Sequence, residues 1–143
     1  MKAGKEMNER YEKWAEIWKQ IDEAEHIAIY RHINPDPDAY GAQYGLADMI
    51  LSQYPTKKVS CLGVLEKRLS FIYENVSTTE IDTNVPNLII CVDTANTARI
   101  DGEIEFGNVP ILKIDHHPNI EPYGSSNYVF TDSPATSAIL LDY

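Results

Sequence analysis

Five short apolar runs punctuate the chain: Ile27-Ala28-Ile29-Tyr30, Val59-Ser60-Cys61-Leu62, Leu88-Ile89-Ile90-Cys91-Val92, Ile111-Leu112-Lys113-Ile114 and Asn127-Tyr128-Val129-Phe130. Runs this short and rich in β-branched residues, with little polar alternation, suit strands buried on both faces. Longer mixed stretches separate them, and strands that alternate with helices imply a parallel sheet with helices on both faces. The expected architecture is therefore α/β: a doubly wound, mostly parallel, Rossmann-like sheet flanked by helices.

The helical stretches are legible in outline. Met7, Tyr11, Trp14, Trp18 and Ile21 recur at spacings of four, three, four and three, with charged residues between them. That period predicts an amphipathic helix over about residues 5–24, its two tryptophans packing in the core. A second helix is expected from Ala39 to Tyr54, stopped by Pro55. A short helix is expected near Leu65, Leu69, Phe71 and Ile72. A last one begins at Ala135 and runs to Tyr143, with Thr131, Asp132 and Ser133 as capping candidates.

Composition narrows the function. A chain of 143 residues is the size of one domain and buries most of its surface without disulfides. A formal net charge of -10 argues against stable binding of long nucleic acid, which needs Lys and Arg to displace counterions. A small phosphorylated substrate remains compatible, because bound cations attract phosphate into an acidic pocket. Cys61 and Cys91 sit inside apolar runs and read as buried free thiols, which fits the cytoplasm. No signal segment or membrane span is expected.

Three of the runs lead into ligand-type side chains. His32-Ile33-Asn34-Pro35-Asp36-Pro37-Asp38 follows the first, Asp93 ends the third, and Asp115-His116-His117 follows the fourth. Carboxyl ends of strands in an open parallel sheet line one crevice, so these groups can converge. Pro35 and Pro37 stiffen the first cluster, and an extended backbone would turn His32, Asn34, Asp36 and Asp38 to one side at steps of about 6.5 Å. That spacing suits two ions about 3.5–4 Å apart, one carboxylate to each, with Asp93 between them. Mixed imidazole and carboxylate ligands favour Mn, Fe, Co or Zn over Ca. His116 turned inward would complete the second ion and leave His117 free to meet substrate or donate a proton. Asp115 would support a ligand or act as an acid near the metals. Taken singly, Asp38 equally suits the N-cap of the helix from Ala39, Asp93 a turn, and Asp115 a cap. Their shared position at strand ends favours the metal reading.

These residues also carry a family resemblance. The stretch from His32 to Ala39 resembles the first motif of the DHH phosphoesterase superfamily, Val92-Asp93 its second, and Asp115-His116-His117 its third, over roughly residues 26 to 143. The Asn-Pro-Asp-x-Asp-Ala pattern and the Val-Asp-Thr-Ala run are most similar to the nanoRNase/pAp-phosphatase branch, which includes relatives acting on cyclic dinucleotides. The resemblance implies a phosphoesterase with two divalent ions, usually Mn, acting on short oligonucleotides or small nucleotide phosphates. It assigns His32 and Asp36 to one ion, Asp38 and His116 to the other, and Asp93 to both. His117 would lie near the scissile phosphate and Arg99 would contact phosphate, with Asn34 a further substrate-binding candidate. Ala138 and Ala42 depart from the branch, which often has Glu and Ser there.

A fourth metal-binding Asp motif and a glycine-rich, basic second domain complete the family pattern. Neither is in the sequence, so the 143 residues are expected to be a catalytic domain incomplete at its C-terminus, with weak turnover at best. The alternatives are an inorganic pyrophosphatase of the same superfamily and a non-catalytic metal-binding or receiver-like domain. A homodimer is compatible with everything above.

Overall fold

The computed structural model describes residues 2–63, 67–69, 71, 86–102, 104, 108–118, 120–130 and 135–136. Helix α1 (Lys2–Glu23) leads into β1 (His26–Tyr30), α2 (Pro37–Gln53) and β2 (Lys58–Cys61). Then come β3 (Leu88–Val92), β4 (Ile111–Asp115) and β5 (Ser126–Val129), with 3-10 turns at Lys67–Leu69 and Thr97–Arg99. All five strands are parallel, in the order β2-β1-β3-β4-β5. Each of the five apolar runs thus becomes a strand, displaced by a residue at most.

The chain moves outward from β1 to β2, then returns to build the sheet on the other side of β1. A right-handed crossover places connections made in opposite directions on opposite faces of the sheet. Side-chain parity shows the two faces directly. Ile27, Ile29, Leu88, Ile90, Val92, Leu112 and Ile114 pack with residues of α1 and α2. Ala28, Tyr30, Ile89 and Cys91 point the other way, against Leu62, Ile100, Ile104, Val109, Ile111 and Tyr123. Among the described residues both α-helices lie on one face, and turns and loops cover the other. A crevice opens between β1 and β3, where the winding reverses, at their carboxyl ends.

Helix α1 docks through a face shifted from the expected one. Trp14, Ile17, Ile21 and Ala24 are buried, whereas Tyr11 is 75% exposed. The series 14, 17, 21, 24 keeps the helical period with Ile17 in it. Trp14 stacks on Phe130, ring centroids 6.2 Å apart. Trp18 lies at the border, tilted against Tyr54.

Helix α2 starts at Pro37 rather than Ala39, and its N-cap is Asp36, not Asp38. Proline at the first helical position loses no hydrogen bond and arrives with a helical φ, so the second proline starts the helix. The helix ends as expected, with Tyr54 as C-cap. Of the expected short helix, only the turn Lys67–Leu69 and an exposed Phe71 are described. Leu65, Ile72 and the capping candidates Thr131, Asp132 and Ser133 lie outside the described residues, as does the last helix beyond Thr136.

Candidate metal centre

The loop after β1 is held from both sides. Arg31, 1% exposed, forms an ion pair with Asp101 and lies over the Tyr40 ring of α2, 4.7 Å from its centroid. Backbone bonds from Asp101 to Arg31 (2.9 Å) and from Ile33 to Arg99 (2.7 Å) join this loop to the segment after β3. His32 pairs with Ile100 in an isolated antiparallel bridge. His32 is therefore fixed before any ligand arrives.

The following residues do not continue as an extended strand. Asn34 has φ 50°, a left-handed conformation that Asn tolerates better than most residues. Its side chain is exposed and does not line the crevice. Asp36 reaches the crevice through helix capping, its Oδ1 accepting from the Ala39 N–H at 2.9 Å. Asp38 occupies the first turn of α2. The carboxylates of Asp36 and Asp38 converge with His32 because a tight turn and a helix start aim them, not because of strand parity.

Asp93 stands at the centre of the crevice. It is 4% exposed, with φ 51°. A non-glycine residue held in that region is strained, and such residues cluster at functional sites. His32 Nε2 lies 3.4 Å from Asp93 Oδ2, and His116 Nε2 lies 3.4 Å from Asp93 Oδ1. A second carboxylate flanks each imidazole: Asp36 Oδ1 is 3.9 Å from His32, and Asp38 Oδ2 is 3.9 Å from His116. The result is two similar half-sites that share one carboxylate.

These spacings match what a metal needs. Ligand atoms about 2.1 Å from an ion and arranged tetrahedrally sit about 3.4 Å from each other. His32 Nδ1 lies 2.7 Å from the Ile33 carbonyl, which can only accept, so that nitrogen carries a proton and Nε2 is the nitrogen that would give its lone pair to an ion in place of its proton. A backbone carbonyl on the far nitrogen is the usual support of a metal-binding histidine. In the metal-free protein the hydrogen bond to Asp93 holds the His32 pKa above its ordinary value, burial opposing it.

Asp115 is fully buried behind these groups. Its Oδ1 accepts from the His116 N–H at 2.8 Å and lies 2.7 Å from His117 Nδ1, while Oδ2 has no hydrogen-bond partner among the described residues. Asp93, Asp115, His116 and His117 also offer atoms within 4.8 Å of one another, as do His32, Asp36 and Asp93. Asp115 and His117 already engage each other, so Asp38 is the better third group beside Asp93 and His116. His117 lies tilted against His116, ring centroids 4.2 Å apart, and is half exposed.

The crevice encloses about 590 Å³ and is lined by His32, Asp36, Asp38, Asp93, Arg99, His116 and His117, with Ala95 and Ala135. Arg99 stands exposed on the 3-10 turn, and no carboxylate pairs with it among the described residues. The structure thus gathers the seven charged or imidazole candidates around one space, keeps Asp115 beneath it and leaves Asn34 outside.

Two contributors carry no motif. Thr136, fully buried, donates its hydroxyl to Asp93 Oδ1 at 3.0 Å and its N–H to Asp38 Oδ2 at 3.1 Å. Lys113, inside β4 and 0% exposed, donates to the carbonyls of Ala95 and Glu121, joining the loops that follow Asp93 and His117. Burial pushes its pKa down. A lone lysine in an apolar strand was the available signal for the second. The first lies in the Ala135-Thr136-Ser137 turn, which resembles the stretch opening the last helix of the family's first half, but nothing in local spacing ties it to the carboxylates.

Parallel strands converging on paired carboxylates and imidazoles make this an α/β domain with a candidate metal centre at its strand ends. The chain belongs to the DHH family: the model of its N-terminal domain matches residues 26–143. Relatives carry the name of an enzyme. The chain is 37% identical over 127 residues to the bifunctional oligoribonuclease and PAP phosphatase NrnA of Bacillus subtilis, covering 89% of this chain and 40% of that protein. It is 39% identical to the probable NrnA of Streptococcus mutans, covering 89% and 41%. An exopolyphosphatase-related protein from Bacteroides fragilis shares the fold, with a TM-score of 0.70 at 22% identity over 88% of this chain and 41% of its own. The chain spans about two fifths of the length of these proteins.

Proposed function

We propose that this domain hydrolyses phosphoester bonds of short oligonucleotides or small nucleotide phosphates such as pAp, using two divalent ions, most favourably Mn. The observation that carries the proposal is the Asp93 carboxylate between two imidazoles, 3.4 Å from each on opposite oxygens. His32, Asp36 and Asp93 would hold one ion, and Asp38, His116 and Asp93 the other. Two ions so held would lower the pKa of water and neutralise phosphate charge.

The chain's own residues supply the remainder. Asp115 orients His117 through its Nδ1, so the outer nitrogen faces the crevice, where it can hold or pass a proton at the leaving oxygen. Arg99, unpaired among the described residues, meets phosphate at the rim. A narrow acidic crevice with one arginine suits a short substrate and not a long backbone. Asn34, outside the crevice, would serve only a substrate that extends over its rim. Free Cys61 and Cys91 fit a reducing cytoplasm, and no described helix is long and apolar enough to cross a membrane. The two-ion arrangement is compatible with a monomer or a homodimer.

Calorimetric titration with Mn2+ tests the centre, and hydrolysis of a diribonucleotide, pAp and pyrophosphate side by side tests the substrate. Two binding steps are expected, with His32→Ala and His116→Ala each removing one. Unaltered binding in both variants would exclude the centre. The ranking of substrates is the readout. Preference for pyrophosphate would replace the nucleotide reading with an inorganic pyrophosphatase.

A further inference from the structure

The two half-sites are not supported alike. At the first, Asp36 is steadied by the Ala39 N–H within its own helix. At the second, one residue distant in sequence grips both carboxylates: Thr136 bonds Asp93 Oδ1 through its hydroxyl and Asp38 Oδ2 through its backbone N–H. Those are the same two oxygens that lie 3.4 Å and 3.9 Å from His116 Nε2. Thr136 is 0% exposed, so water cannot substitute for it.

We infer that Thr136 is a positioning residue for the second centre, its hydroxyl fixing the rotation of the shared Asp93 carboxylate so that each oxygen faces a different imidazole. The terminal torsion of Asp is broad and roughly two-fold. Without a bond to Oδ1, the carboxylate can rotate and offer both oxygens to the His32 side. The first centre then keeps its ligand, while the second loses the only one the two share. This rests on the two-centre reading above and adds to it a dependence on a residue 43 positions beyond Asp93.

The test is Mn2+ calorimetry on the wild type, Thr136→Val and Thr136→Ser, with low-temperature electron paramagnetic resonance to detect a coupled Mn pair. Valine keeps the β-branched shape and the backbone N–H and removes only the hydroxyl. Loss of a support to a metal ligand typically weakens binding about 10- to 100-fold, so Thr136→Val is expected to weaken the second step by that factor. Its first step should stay within about threefold of wild type, on the independence of unperturbed ligands, and the coupled-pair signal should disappear at matched Mn2+. Thr136→Ser should restore both. Two unaltered steps in Thr136→Val would overturn the inference, as would equal weakening of both, which a purely structural role predicts. A wild type that binds no pair would instead overturn the two-centre reading itself, and the inference with it. Should valine leave the protein too unstable to titrate, Thr136→Ser against Thr136→Ala makes the same comparison.

Discussion

Asp93 and Asn34 are the two non-glycine residues with positive φ among the described residues, at 51° and 50°, and they put the same strain to different use. At Asp93 the conformation turns a carboxylate from the end of β3 into the crevice. At Asn34 it reverses the chain so that His32 and Asp36 come near each other, 3.9 Å apart at Nε2 and Oδ1. A β-branched residue in the left-handed region costs roughly 1–2 kcal/mol. Asn34→Val is therefore expected to lower unfolding free energy in urea by about that amount, whereas Asn34→Gly should be within a few tenths of a kcal/mol of wild type. Because Asn34 is exposed and lines no part of the crevice, a large loss with glycine would show that its side chain does more than accept the turn. The sequence marked the position as one member of an extended row and as a substrate-binding candidate. Left-handed backbone at an Asn before proline is a tertiary choice that no parity argument anticipates.

Elements carry their own divisions of labour. Asp36 caps α2 and faces His32 with the same oxygen, so stability and metal binding can be separated by substitution. Asn caps about as well as Asp, and alanine at an N-cap costs about 0.5–2 kcal/mol. Asp36→Ala is expected to lose about 1 kcal/mol of stability together with the first Mn2+ step. Asp36→Asn should lose the Mn2+ step alone, as denaturant titration and calorimetry on the same samples would show. Helix α1 offers the parallel case for packing. Ile17→Ala is expected to cost about 2–5 kcal/mol and Tyr11→Ala under about 0.5 kcal/mol, since one is fully buried and the other 75% exposed. Comparable losses from both would mean that the helix docks through a different face. The spacing in the sequence pointed to a face through Tyr11, Trp14, Trp18 and Ile21, whereas the docked helix buries Trp14, Ile17 and Ile21.

At the scale of the whole molecule, the centre ties β1, β3, β4, the start of α2 and Thr136 together. Only the folded chain brings these elements to one point, so ions bound there stabilise the native state by mass action, about 2.7 kcal/mol at a hundredfold excess over Kd. Thermal melts are expected to shift upward with Mn2+ and return on chelation. His116→Ala should reduce the shift without abolishing it, because the first centre remains. A melting temperature indifferent to Mn2+ would mean the crevice binds no ion in the native state. The formal charge of -10 acts in the same direction, since three carboxylates facing one space repel until a cation joins them.

The five strands, the two major helices and nearly every ligand candidate were legible from the sequence, because apolar runs, helical periods and strand-end polar clusters are written locally. Local pattern also sufficed to say that His32, Asp93 and His116 would meet, since parallel strands bring their carboxyl ends together. The fold alone decided which carboxylate caps and which faces an imidazole, how Asn34 turns the loop, and that Thr136 and Lys113 brace the centre. Those outcomes depend on contacts between residues as much as 98 positions apart, and a hydrogen bond across such a separation leaves no periodicity to read. The sequence determined which side chains are candidate ligands; only the tertiary structure determined how they are held.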